Sequence, residues 1–360
     1  YLNGTLLKRE WYGTSKLVTE YFEKGVIIRR SYHNKDGCIA FEELKQGTSW
    51  LYRLGTEVLV TKTEVMRRFL ARLPLTDADT LLLDRASLME FMRPIYELNS
   101  SAKLGFVFHS EHEFENGDLY YEYYYIFKYA HRFDFFITAT EAQKAVLKNT
   151  LQKQSIDTTI YALAVGHLDK LSFPVEQRKP LSLMTASRLD PRKRLDLAIR
   201  AVALAHQKEP NLRFDIYGKG GEQENLQELI DTLGANDYIK LRGHADLQEI
   251  YPQYELYVTT SQWETFGLTL MEAVGAGLVL VGFDARYGNP TFIKDGESGY
   301  LVPYNETMDE DLLVSQMADK ILFALESDLE SMHQASYELA KHYLKPEILE
   351  AWRKLLIAIR

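Results

Sequence analysis

Two carboxylates eight positions apart mark the stretch of this sequence best suited to chemistry. Residues 261–273 read Ser-Gln-Trp-Glu-Thr-Phe-Gly-Leu-Thr-Leu-Met-Glu-Ala, with Glu264 and Glu272 separated by seven residues. An apolar run, Glu255 to Thr259, precedes them and predicts a strand. Just past its end, Phe266, Gly267, Leu268 and Thr269 predict the opening of a helix. Unclaimed N–H groups and the positive end of the helix dipole suit a phosphate or an anionic leaving group there. Two turns further on, Glu272 can present a carboxylate to ribose hydroxyls. The same spacing also suits a solvated helix start with a surface Glu at each end, and spacing alone does not separate the two.

Two cations stand in a similar place upstream. Ser187-Arg188-Leu189-Asp190-Pro191-Arg192-Lys193-Arg194 follows the apolar strand Leu181 to Ala186. A forked guanidinium at Arg188 and a point charge at Lys193 can neutralise a departing pyrophosphate. In a closed cleft such donors act on the transition state more than on the ground state. A solvated basic helix start is the competing reading, and it suits Arg192 and Arg194. Tyr217-Gly218-Lys219-Gly220-Gly221, after Arg213 to Ile216, is a second glycine-rich strand-to-helix turn. It lacks the Gly-Lys-Ser/Thr of a P-loop, so taken alone it reads as a plain turn. Phe108-His109-Ser110-Glu111-His112 ends another strand with two His three apart. With no third ligand nearby, zinc is disfavoured. Such a His can bond a sugar hydroxyl or a phosphate, or can be a satisfied structural residue. No Ser-His-Asp order or nucleophile elbow is present.

These groups need elements that bring strand ends together. Residues 1 to 60 predict short antiparallel strands, with Asn34-Lys35-Asp36-Gly37 as a hairpin signal. From about residue 63 helices alternate with strands, at Thr80 to Leu83, Lys103 to Phe108, Phe133 to Ala139 and Thr158 to Val165. A helix is expected over Leu88 to Leu98 and another, rich in Tyr, over Tyr120 to Tyr129. The rhythm repeats with strands at Leu181 to Ala186, Arg213 to Tyr217, Ile239 to Leu241, Glu255 to Thr259 and Leu278 to Val281. Alternation of this kind predicts doubly wound parallel sheets, with ligands beyond the carboxyl ends of the strands. Phe173 to Pro180 reads as a linker. The expected division is 1–62 a β-rich insert, 63–172 and 173–340 two Rossmann-like domains, and 341–360 a helix packing back toward the first.

Composition narrows the class. The 360 residues are 46% apolar and 26% charged, enough for full cores in about two domains. Acidic residues outnumber basic ones 51 to 42, a net charge of −9, which argues against a general nucleic-acid binder. A single cysteine, Cys38, excludes a disulfide framework and fits a reducing compartment. The longest nearly apolar run, Ala273 to Phe283, is 11 residues, too short to span a bilayer. A cytoplasmic protein is expected, with peripheral contact at the inner face of the cell membrane as a further option.

Taken together, Ser187-Arg188-Leu189 with Lys193, Tyr217-Gly218-Lys219-Gly220, Arg242-Gly243-His244, the Glu pair and Asp295-Gly296-Glu297-Ser298-Gly299-Tyr300-Leu301-Val302-Pro303 resemble the retaining family 4 glycosyltransferases of GT-B fold. Phe108 to His112, Asp134 to Gln143, Gly282 to Asn289 and the segment Arg30 to Gly37 look like one subfamily, the catalytic A subunits of accessory Sec O-GlcNAc transferases, which glycosylate serine-rich repeat adhesins. The resemblance implies UDP-GlcNAc as donor and Ser/Thr hydroxyls as acceptor, with no metal and no enzymic nucleophile. It implies catalytic roles for Glu264, Arg188, Lys193 and His109, the two cations on the diphosphate and His109 toward the donor sugar. Glu272 would take the ribose, Thr269 the phosphate and the Phe266–Leu268 backbone the sugar. Tyr217, Gly218, Lys219 and His244 would frame the uracil, and His112 would join the donor site. A partner B subunit and the acceptor protein are expected at the β-rich insert. The family opens with a strand and a Gly-rich loop that would precede Tyr1, so a longer protein is expected. Thr265, where many relatives carry Gly or Pro, points to a shift in donor-sugar preference. The readings to be separated from this one are α-glucosyl transfer to adhesin or poly(glycerol phosphate) teichoic acid, and a non-catalytic acceptor-binding subunit.

Overall fold

A computed structural model of the chain describes residues 5–85, 89–114 and 116–359. It resolves into two units, Tyr1–Gly105 with Glu122–Phe133, and Phe106–Tyr121 with Asp134–Arg360.

The first unit is built on hairpins. Strands β1 (Lys8–Tyr12), β2 (Lys16–Glu23), β3 (Val26–His33), β4 (Ile39–Gln46), β5 (Ser49–Leu54) and β6 (Glu57–Leu59) form one antiparallel sheet in sequence order. The β3–β4 turn is the expected Asn-Lys-Asp-Gly, closed by Asn34, whose side-chain oxygen accepts from Asp36 N–H (3.1 Å) and Cys38 N–H (2.9 Å). Few strand residues are buried, and several of those are polar: Thr19, Glu20, Ser31 and Glu42. Buried carboxylates need partners. Glu42 takes Arg29 Nε (2.7 Å), Ser31 Oγ (2.8 Å) and Arg53, and Glu20 takes Arg9 Nε (2.8 Å), Trp11 Nε1 (3.0 Å) and Arg30 Nε (3.1 Å).

Helix α1 (Lys62–Leu70) follows, its start fixed by a capping box between Thr61 and Glu64. Strand β7 (Thr80–Leu83) and helix α2 (Met89–Tyr96) come next; the expected start of that helix, Leu88, lies outside the described residues. The Tyr-rich segment is not one long helix. It is a 3-10 turn, Tyr121–Tyr123, then α3 (Tyr124–Lys128) and a second 3-10 turn, Ala130–Arg132. Neither α3 nor the second turn has a side-chain cap, and aromatic residues are poor helix formers. Tyr123, Ile126 and Phe127 are buried, while Tyr121 and Tyr124 are exposed.

The second unit packs mainly on hydrocarbon, with Glu111, His112, Asn289 and His333 among the polar side chains buried in it. Strand β8 (Lys103–Phe108) enters it at Phe106, and β9 (Phe135–Thr138), α4 (Glu141–Lys153) and β10 (Thr159–Ala162) follow, with β10 parallel to β9. Then come β11 (Ser182–Ala186), α5 (Leu195–His206), β12 (Arg213–Tyr217), α6 (Gln223–Thr232), β13 (Ile239–Gly243), β14 (Leu256–Thr259), α7 (Leu268–Gly275), β15 (Val279–Phe283), α8 (Gly288–Phe292) and β16 (Gly299–Val302). These strands make a parallel sheet ordered β13-β12-β11-β14-β15-β16. The order reverses between β11 and β14, and the carboxyl ends of those two strands are where such a sheet opens a crevice. Strands β11, β14 and β15 are buried along their whole length. Strand β16 escaped the sequence reading because it begins with Gly299, a poor strand former, whose missing Cβ would stand 2.0 Å from Leu280 O.

The segment read as a linker has no regular structure but is strapped down. Arg178 donates to Pro252 O (3.0 Å), Tyr254 O (2.8 Å) and Ala276 O (2.7 Å). After α9 (Glu310–Glu326) and α10 (Leu329–Lys341), helix α11 (Lys345–Ala358) places Leu355, with Ile359 after it, in a cluster with Val107, Phe135, Ile137 and Leu163. Among the described residues no helix is long and apolar enough to cross a membrane.

Candidate active site

The crevice forecast by the strand order is present. A cleft of about 330 Å³ lies at the ends of β11 and β14 and is lined by His109, Arg188, Lys193, Glu264, Phe266, Gly267, Leu268 and Thr269. Thus all four expected catalytic side chains and the turn that opens α7 share one space. Ala139, Val165, Ser187 and Thr265 complete its lining.

Each functional group is held by its neighbours. The Lys193 ammonium donates to Glu264 Oε2 at 2.5 Å, and both side chains are about four-fifths shielded from solvent. Thr260 Oγ1 lies 3.0 Å from Lys193 O and 2.8 Å from Arg194 O, so the end of β14 fixes the turn that carries Lys193. Arg192 and Arg194 are engaged elsewhere, Arg192 with Asp190 and Arg194 with Asp196 and Glu310. Arg188 is exposed, and among the described residues no acidic side chain pairs with it.

Gly267 begins α7 at φ +89°, and a Cβ there would meet Leu270 Cδ1 at 2.7 Å and Glu264 Cγ at 3.0 Å. A side chain fits neither the backbone nor the space. No side chain caps α7; Leu270 N–H donates to Gly267 O (3.0 Å), and the amides of Leu268 and Thr269 are left to a ligand or solvent. Tyr257, fully buried under the cleft, has its hydroxyl 2.8 Å from Ala186 O and 3.0 Å from Thr269 Oγ1. Burial pushes that phenol up to about 12, so it stays a neutral peg between β11 and α7.

The glycine-rich turn after β12 is a framework piece. Gly218 sits at φ +138°, and a Cβ on it would be 1.8 Å from Ser187 O. Main-chain bonds lace three strand ends: Ser187 N–H to Tyr217 O (3.1 Å), Leu189 N–H to Lys219 O (3.1 Å) and Gly218 N–H to Gly243 O (2.8 Å). Lys219 and His244 are exposed on this frame. Tyr217 is buried instead, its hydroxyl 2.8 Å from that of Tyr254, which donates to Asp215 at 2.5 Å. Only its main chain is left at the rim.

Two other expected residues lie off the cleft. Glu272 lines a second one, of about 300 Å³, where Tyr251 Oη donates to it at 3.0 Å. Protein packed around it raises its carboxyl above the usual range. His112 is turned fully into the core, its Nε2 3.3 Å from Thr150 Oγ1, and burial pushes the imidazole down to about 4. The structure does not bring it to the cleft. Gly166 and Tyr251 were not singled out in the sequence. A glycine just past a strand was a usable signal, since a Cβ at 166 would lie 2.4 Å from Leu268 Cδ2. Tyr251 had none. Among the described residues no three His, Cys, Asp or Glu side chains group as metal ligands would.

Comparison with known proteins matches residues 170–342 to glycosyl transferases group 1 and residues 1–56 to the GtfA extended beta-sheet domain. The chain is 41% identical over 370 residues to the UDP-N-acetylglucosamine–peptide N-acetylglucosaminyltransferase GtfA subunit of Streptococcus gordonii, spanning 99% of this chain and 73% of that protein. It resembles the crystal structure of the pneumococcal O-GlcNAc transferase GtfA in complex with UDP and GlcNAc, at TM-score 0.87 and 38% identity, over 99% of this chain and 72% of that one. It also resembles a chain of the crystal structure of a GtfA/B complex, at TM-score 0.89 and 40% identity, over 99% and 73% of the two chains.

Proposed function

The chain belongs to the family of GtfA peptide N-acetylglucosaminyltransferase subunits and has the GT-B fold, and on that premise we propose that it transfers GlcNAc from UDP-GlcNAc to Ser and Thr hydroxyls of a serine-rich adhesin. The observation that carries the reading is the Lys193–Glu264 pair in one cleft with Arg188, His109 and the uncapped start of α7. Such a cleft supplies what departure of a nucleoside diphosphate demands: two cations and oriented amides.

In this reading the diphosphate sits against Arg188, Lys193 and the amides at Leu268 and Thr269, so charge develops where donors already stand. Lys193 is thereby shared between the leaving phosphate and Glu264, and Glu264 orients the sugar through its hydroxyls. The acceptor oxygen bonds to the anomeric carbon on the face from which UDP leaves, and its proton passes to the departing phosphate oxygen. Configuration is retained without a covalent enzyme intermediate, and the two cations take the part a metal plays elsewhere. Glu272, held by Tyr251, takes the ribose hydroxyls, and the exposed rim at Lys219 and His244 frames the base. A B subunit joins at the antiparallel sheet, and the reaction takes place in the cytoplasm before export of the acceptor, at or near the membrane.

The test is the intact mass of a Ser/Thr-rich acceptor incubated with the full-length protein and its partner subunit, with UDP-GlcNAc and UDP-glucose offered separately. Successive N-acetylhexosamine increments support the reading. Hexose increments alone move the donor to glucose, and no increment with either sends the acceptor assignment to teichoic acid or to a non-catalytic subunit.

A further inference from the structure

Glu264 is located by its main chain, and the partner is the loop after β15. Its N–H donates to Arg286 O (2.8 Å), and its carbonyl accepts from Tyr287 N–H (2.7 Å) and Gly288 N–H (2.5 Å). A Cβ on Gly288 would stand 2.2 Å from Phe266 O, so this loop and the cleft segment meet backbone to backbone. Wherever residues 286–288 go, Glu264 follows.

The side chain of Arg286 reaches in another direction. Its Nε lies 3.6 Å from Oε1 of Glu111, a carboxylate with only 8% of its side chain exposed. Glu111 stands two residues beyond His109, which lines the same cleft as Glu264. The guanidinium also packs over the Tyr287 ring at 5.8 Å, and that ring is itself buried. One residue is therefore tied through its backbone to the cleft's carboxylate and through its side chain to the segment bearing His109.

We infer that Arg286 is a positioning residue for transfer: its ion pair with Glu111 sets the separation between Glu264 and His109. The inference rests on the donor-site reading of those two residues. A buried carboxylate is little screened by solvent, so the pair acts as a stiff spacer. Catalytic groups carried on separate segments of one cleft are sensitive to such a spacer, since a displacement of about 1 Å costs on the order of a hundredfold in rate.

The test uses Arg286→Ala, Arg286→Lys and Glu111→Gln in the full-length protein with its partner subunit. In Arg286→Ala and Glu111→Gln, kcat for GlcNAc transfer should fall by about 10- to 100-fold while calorimetric affinity for UDP stays within about threefold. Arg286→Lys should recover most of the rate, and the double variant should be no worse than the worse single one. Hydrogen exchange supplies a readout that needs no donor sugar. In Arg286→Ala the amides of Glu264, Tyr287 and Gly288 should exchange faster while β11 and β12 keep their protection. Unchanged exchange overturns the inference, as do single effects that multiply in the double variant. UDP affinity falling in step with kcat also overturns it, because Arg286 then holds the donor itself. Absence of GlcNAc transfer by the wild type sinks the proposed function alone; the exchange result still decides the spacer.

Discussion

Two six-stranded sheets in this molecule are built from opposite materials. In the parallel sheet β11, β14 and β15 are buried end to end. In the antiparallel sheet β1 to β6 carry few buried positions, and Glu20 and Glu42 are among them, at 6% and 1% exposure. Hydrocarbon holds the first sheet and carboxylate–guanidinium cross-links hold the second. The difference separates two tasks. A sheet buried on both faces can offer a ligand only its strand ends, and the cleft is found there. A sheet pinned by ion pairs stays ordered with its broad faces open, and Trp11, Tyr12, Val26 and Val58 remain exposed on it.

The sharpest way to break this division of labour is at the strand ends. Glu264→Gln should lower GlcNAc transfer by roughly a thousandfold, in line with removal of a preorganised group. Assembly with the partner subunit should be unaltered, as read by size-exclusion chromatography. Loss of assembly would mean that the two sheets do not divide the work. Next in size is Glu42→Ala, which strands Arg29, Arg53 and Ser31. It should cost about 3 kcal/mol in denaturant unfolding of the first unit, followed through Trp11 and Trp50 with the other tryptophans replaced by Phe. Stabilisation by UDP should persist.

Acid separates the sheets again. Burial lowers His112 and His333 from the ordinary 6.5 to about 4, so both are neutral in the folded protein and protonate in the unfolded chain. Their contribution is complete above pH 6.5 and drains away as pH falls toward 4, on the order of 3 kcal/mol for each. Glu20 is held below the ordinary range first by the Trp11 N–H and then by Arg9 and Arg30, and Glu10, bonded by Lys16 and Lys8, is lowered to about 2. Stability from those carboxylates is present above their unfolded value and lost only as pH falls through the lowered ones. Acid titration followed by circular dichroism and by Trp11 and Trp50 should show the second unit loosening first, and the reverse order would contradict the contrast drawn here. The smallest change is expected at Lys208→Ala, whose pair with Asp319 is 64% exposed on both sides and should shift stability by less than about 0.5 kcal/mol.

Much of this was legible beforehand, for identifiable reasons. The alternation of apolar strands and amphipathic helices is a period signal, and it located β11, β12 and β14 within a residue or so. Glu264, Arg188, Lys193 and His109 were candidates by their place at strand ends, where a solvated helix start or a structural His suited them as well, and the family resemblance supplied their roles. What stayed hidden depends on direction rather than type. Nothing in Phe-His-Ser-Glu-His says that His109 points out while His112 points into a cluster with Phe108 and Thr150. Tyr217 looked like a rim residue until Tyr254 and Asp215 claimed its hydroxyl. Arg178, in a proline-bearing stretch without period, read as a linker because its carbonyl partners lie more than seventy residues away.

The main-chain lacing of Ser187, Leu189, Tyr217, Lys219 and Gly243 also bears on how this protein can change. Since the frame is drawn in amides and carbonyls, the side chains of Lys219 and His244 can be exchanged without redrawing it. Gly218 and Gly220 cannot, because each would push a methyl group into a neighbouring carbonyl, at 1.8 Å and 2.2 Å. With the rim framing the base as proposed above, directed evolution toward another nucleotide has a plain itinerary: diversify the rim and leave the glycines untouched. Natural lineages diverging under the same geometry would carry variation in the first place and uniformity in the second.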